Sequence, residues 1–155
     1  MINALITFFI VGLDQFSKFL AVTYLQGEPK SIIQGVFELN YVQNTGAAFG
    51  IMQNSSMLFL VITPLILTAL FAYILIYKSK RTYTLPLILI LGGALGNYID
   101  RVRMGYVVDF LDFKVWPVFN LADTSIVIGA LLFAIILITE ESKEKIREDK
   151  NGSAS

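Results

Sequence analysis

Met57–Tyr77 reads M-L-F-L-V-I-T-P-L-I-L-T-A-L-F-A-Y-I-L-I-Y, with no charged residue and only Thr63, Thr68 and Pro64 breaking the apolar run. At about 1.5 Å of rise per residue, a helix over this stretch crosses a ~30 Å hydrocarbon core. Composition agrees: 55% of the 155 residues are hydrophobic, and the mean hydropathy is +0.68. Those values exclude an ordinary soluble domain and leave room for only a few membrane spans in one domain, residues 1–155.

Three further spans follow. Leu85–Ile99 and Thr124–Thr139 reach membrane length when Asp100-Arg101 and Ala122-Asp123 are counted as their last and first helical turns. Those acids are therefore expected at an interface. Ile2–Leu25 is a span that carries Asp14 and Lys18, four apart and so on one helix face. A cleaved signal peptide fits it poorly, because Met1–Leu5 has no basic residue and an acid sits inside the apolar run. The expected fold is mainly α: four transmembrane helices near 2–25, 57–77, 84–101 and 122–140, and a charged tail, 141–155. Seven of the twelve basic residues, Lys78, Lys80, Arg81, Lys143, Lys145, Arg147 and Lys150, lie in one loop and the tail. The positive-inside rule makes that side, with both termini, cytoplasmic. Gln26–Ser56 and Val102–Leu121 then face outward. Within the first, Ser31–Val42 (S-I-I-Q-G-V-F-E-L-N-Y-V) predicts a small surface sheet. The tail, Glu140–Ser155, reads as a frayed helix end and a disordered terminus.

The chain has no His and no Cys, so imidazole bases, thiolates and zinc–thiolate sites are excluded. A zero net charge without a basic patch leaves nucleic acid no electrostatic footprint. Carboxylates remain. Asp109, in V-V-D-F, and Asp123, in F-N-L-A-D, are separated by a stretch containing Trp116-Pro117, so the chain can fold back and join them. Two close carboxyls share one proton and supply an acid and a base together. On the residues alone, Asp123 also reads as a first-turn helix acid with Asn120 as N-cap, and Asp109 and Asp112 as solvated loop acids. Gly92 and Gly96 in G-G-A-L-G-N-Y-I-D-R form a face that lets another helix, or an extended substrate, approach the backbone closely; Asn97 and Arg101 share a face that can order polar groups beneath the acids, and Arg101 also reads as an interfacial arginine reaching to lipid phosphate. Asn44–Gly50, N-T-G-A-A-F-G, reads as a turn or as an amide beside a groove. Asp14 and Lys18 read as an inward ion pair; Ser17 and Lys18, adjacent on a helix, point about 100° apart and do not make a Ser–Lys site. A proton-coupled transporter is the rival class, but it would favour acids at the bilayer midplane.

Five motifs, D-Q-F-S-K (Asp14–Lys18), N-T-G-A-A-F (Asn44–Phe49), G-N-Y-I-D-R (Gly96–Arg101), V-V-D-F (Val107–Phe110) and F-N-L-A-D (Phe119–Asp123), occur in that order. In this the whole chain resembles the lipoprotein signal peptidase (signal peptidase II) family of bacterial intramembrane aspartic proteases. The resemblance implies Asp109 and Asp123 as catalytic residues and Asp14, Lys18, Asn44, Gly46, Asn97, Asp100, Arg101, Asn120 and Ala122 as supporting or substrate-binding ones. It further implies removal of the signal peptide from prolipoproteins before a diacylglyceryl-modified cysteine, without a metal or other cofactor, in the bacterial cytoplasmic membrane; a monomer is expected. Gly105–Trp116 is expected to act as a lid, with the surface sheet cradling the substrate.

Overall fold

The computed structural model describes residues 2–46, 55–76 and 81–152. Ala47–Gly50, the second half of the asparagine–glycine motif, and Lys78–Lys80 of the basic loop lie outside the described residues. The elements are α1 (Ile2–Tyr24), β1 (Lys30–Ile33), β2 (Phe37–Asn44), α2 (Ser56–Ile76), α3 (Arg81–Met104), β3 (Val107–Asp112) and α4 (Leu121–Gly152). All four helices are long and apolar enough to cross a membrane.

Burial is inverted relative to a soluble protein. Large apolar side chains such as Phe8, Phe9, Phe16, Phe19, Leu65 and Ile138 are exposed, while Asp14, Lys18, Asn97, Asp100, Arg101, Asp109 and Asn120 are buried. Lipid solvates the first group. The second is ionic or amide-bearing and costly to place in hydrocarbon, so it faces the protein interior.

Glycines set how closely the helices approach. A Cβ on Gly92 would lie 3.0 Å from Ile10 of α1, and one on Gly96 would lie 2.5 Å from the Asp14 carboxylate. The expected G-x-x-x-G face is thus a helix-packing face against α1. Gly93, one position round, would place a Cβ 2.3 Å from the Ala122 carbonyl of α4. Gly93→Ala must force α3 and α4 apart beside Asp123, and should cost roughly 1–3 kcal/mol. Gly12→Ala, with nothing within 4 Å of its Cβ, is the control. Detergent-titrated unfolding of both variants should show destabilisation of the first alone; equal midpoints would contradict this packing account.

The predicted surface sheet is present, and it has a third strand. β1 pairs antiparallel with β2 across a turn at Gly35, whose φ of +74° suits glycine. β2 pairs antiparallel with β3, with Val42 opposite Asp109 and Asn44 opposite Val107. Half of the stretch expected as a lid is therefore a paired strand. Val108 and Phe110 on one side of β3 join Ala21 and Leu25 at the end of α1 in a buried cluster, so the sheet is fastened to the bundle. The tail also departs from expectation: α4 runs unbroken to Gly152, because its Glu, Lys and Arg residues are strong helix formers.

Candidate active site

Two segments carry the acids to one place. α3 ends at Gly105, which has φ +81° and donates its N–H to the Arg101 carbonyl, a left-handed stop that turns the chain directly into β3. Beyond β3 the chain reverses, with Lys114 at φ +59°. It returns as a bridge between Leu111 and Phe119, closed by Phe119 N–H to Leu111 O at 3.1 Å and Leu111 N–H to Phe119 O at 2.8 Å. Asn120 then caps α4: its Oδ1 accepts the Asp123 N–H at 2.8 Å, and the Asp123 carboxylate accepts the Asn120 N–H at 3.3 Å. This reciprocal cap is the arrangement that orients a first-turn acid. The cap reading of Asn120 holds. The solvated-loop reading of Asp109 does not, since Asp109 is 1% exposed.

Both carboxylates face one cavity of about 790 Å³. Its walls are mainly apolar, from Phe59 and Thr63 on α2, Ala94 on α3, Ile126, Val127 and Ile128 on α4, and the Phe113–Phe119 reversal. The polar groups gather at one end. Asp109 accepts hydrogen bonds from the Asn44 amide at 2.8 Å and the Asn120 amide at 2.7 Å. Asp123 accepts one from the Asn97 amide at 2.7 Å. Asn120 also donates to Asn97 Oδ1 at 3.1 Å, so the two acids hang on one amide chain. Burial, and after it the negative charge of Asp123, push the Asp109 carboxyl up to about 7, against the opposing amides of Asn44 and Asn120 and the cationic Lys18.

The cationic residues occupy distinct places. Arg101 lies over the Phe59 ring at 4.7 Å and donates to the Gly46 carbonyl at 3.1 Å; its buried Nε–H meets no acceptor among the described residues. Lys18 sits behind the acids, 2.8 Å from each of Asp14 and Asp100. The inward ion pair read from the sequence is thus present, with Asp100 as a second partner. Ala122, fully buried, donates its N–H to Asp14 at 2.9 Å. Asp112 is set apart from the cavity. The Lys114 N–H and ammonium hold its carboxyl below the ordinary value, and Lys114 also pairs with Glu38. Two residues at the site escaped the sequence reading. Gln15 donates to Asp100 at 2.8 Å and to the Gly96 carbonyl at 3.2 Å, and Phe59 stacks on Arg101. An amide adjoining Asp14 and an aromatic in an apolar span carry no distinguishing signal in one sequence.

Four membrane-length helices, a carboxylate pair at one end and an apolar cavity opening beside it define a membrane enzyme in outline. The family model for signal peptidase (SPase) II matches residues 6–139. A lipoprotein signal peptidase of Halothermothrix orenii is 48% identical over 138 residues, covering 88% of this chain and 95% of that one. One of Enterococcus faecalis is 44% identical over 154 residues, covering 96% and 94%. A solved structure described as a bacterial membrane enzyme, obtained in meso at 2.3 Å resolution, superposes with TM-score 0.85 at 35% identity over 91% of this chain and 90% of that one. The chain belongs to the signal peptidase II family.

Proposed function

We propose that this enzyme is an aspartic endopeptidase that removes the signal peptide of diacylglyceryl-modified prolipoproteins, cutting before the lipidated cysteine. The observation that carries the reading is the placement of Asp109 and Asp123 on one amide chain at the polar end of an apolar cavity. An apolar signal helix with two acyl chains arrives through lipid. The cavity wall between α2 and α4 suits that entry, since Val127 and Ile128 both line it and are exposed on the bundle. With one proton on the pair, the ionised carboxylate takes a proton from water while the protonated one hydrogen-bonds the scissile carbonyl. The water oxygen bonds to the carbonyl carbon. The proton taken from water then passes to the leaving amine as the C–N bond breaks, and the pair returns to its starting state. Arg101, which lines the cavity, is placed to donate from its guanidinium to a substrate carbonyl.

Cleavage in proteoliposomes tests the reading directly. A diacylglyceryl-modified precursor should yield a product beginning at the lipidated cysteine, and the unmodified precursor should be cut far more slowly. Equal rates on both, or a different bond broken, would refute it.

The same proposal places both termini in the cytoplasm and the acids at the outer face. Because the chain has no cysteine, Val115→Cys and Lys143→Cys report sidedness without background. Val115, 93% exposed, should react with an impermeant thiol reagent in intact cells, and Lys143→Cys only after lysis. The reverse pattern would invert the topology.

A further inference from the structure

We propose that Lys18 is the positioning residue that sets the placement of the two acids, acting through three carriers that each grip the chain at or beside one of them. The inference rests on the dyad reading above. The Lys18 ammonium has three protons to donate, and three acceptors stand 2.8 Å from it: Asp14 Oδ2, Asp100 Oδ2 and Asn97 Oδ1. Each acceptor has a second engagement. Asp14 Oδ1 takes the N–H of Ala122, the residue before Asp123, at 2.9 Å. Asp100 Oδ2 takes the N–H of Val108, the residue before Asp109, at 3.2 Å. Asn97, its oxygen fixed by Lys18, must point its NH₂ the other way, where it donates to Asp123 at 2.7 Å.

A salt bridge that merely joined α1 to α3 would need one carboxylate and no such second bonds. Here one ammonium, 2% exposed, holds the carriers of both backbone segments, although Val108 and Ala122 lie on different elements. Removing it leaves two buried carboxylates facing each other without their cation. They must separate or take up a proton, and either response moves Val108 and Ala122 relative to one another. Displacements of this size are felt in the chemical step, because catalytic geometry tolerates less than an ångström.

The experiment measures kcat and KM for Lys18→Met, Lys18→Arg, Asp100→Asn and the Lys18→Met/Asp100→Asn double variant, purified in lipid, with a lipidated precursor. For Lys18→Met, kcat per folded molecule should fall roughly 100-fold with KM changed by no more than about twofold, as for a displaced rather than a missing catalytic group. Lys18→Arg keeps the charge balance, and its larger head cannot meet the three acceptors together; it should lose at least about tenfold, and it decides the question if the Met variant does not fold. The double variant should be no worse than the poorer single one, because residues acting as a unit are not additive. Normal kcat per folded molecule, a rise in KM alone, or multiplied losses would each overturn the proposal. Asp123→Asn serves as the reference: if it cleaves, the dyad reading itself fails, whereas a dead Asp123→Asn beside normal Lys18 variants rejects only the role of Lys18.

Discussion

Asp109→Asn and Asp123→Asn should each lower cleavage by on the order of 10⁴-fold or more, while the protein stays folded and still retains precursor. The substitution keeps the size of the side chain and leaves the apolar cavity that receives the signal helix as it is. What it removes is the exchangeable proton: an amide can neither take a proton from water nor hand one to the leaving amine near neutral pH. Either loss stops the cycle, so the double variant should be no slower than the singles. Chelators should have no effect, because the groups around the acids are amide donors, with the cations Lys18 and Arg101 nearby, a setting that disfavours a further positive ion. Near-normal cleavage by either purified variant would remove that residue from the chemistry. Loss of activity in EDTA that zinc restores would replace the dyad with a metal mechanism.

How far the sequence reaches toward this site depends on the range of each interaction. The spans are legible because apolar length is a local property, and the N-cap role of Asn120 is legible because its partner lies three residues away. The Asp14–Lys18 pair is likewise one helical turn. Asp100 as the second partner of Lys18 is not legible, nor is the Asp14 contact to the Ala122 N–H, which spans 108 positions. Both arise only once Gly92 and Gly96 let α3 close on α1. β3 is a similar case. V-V-D-F-L-D has no clean period-2 pattern, because Val108 and Phe110 pack on the end of α1 while Val107 and Asp109 face the cavity, so both faces are buried. Only the pairing with β2 identifies it as a strand and brings Asn44 within reach of Asp109.

The second large effect is on stability, and it has the opposite sign to the effect on activity. Asp109 holds its proton up to about pH 7 in the folded protein, against an ordinary value of 3.8, chiefly because it is buried and next because Asp123 is close. Below the ordinary value both folded and unfolded states are protonated, and the group contributes nothing. As pH rises from there the unfolded chain ionises first, so the folded state loses ground until about pH 7, above which the loss is complete. A difference of this size corresponds to on the order of 4 kcal/mol. The amide that replaces the carboxyl in Asp109→Asn does not titrate, and the change in its contacts with Asn44 and Asn120 is the same at every pH. The stability of Asp109→Asn relative to the natural chain should therefore rise by on the order of 4 kcal/mol between pH 4 and pH 8, measured by detergent-titrated unfolding of both proteins. The pH–rate profile should carry the same signature, a bell whose upper limb falls near or above neutrality and belongs to the pair. Parallel stability curves for the two proteins would show that Asp109 ionises freely in the folded state, and would leave the shared proton without its physical basis.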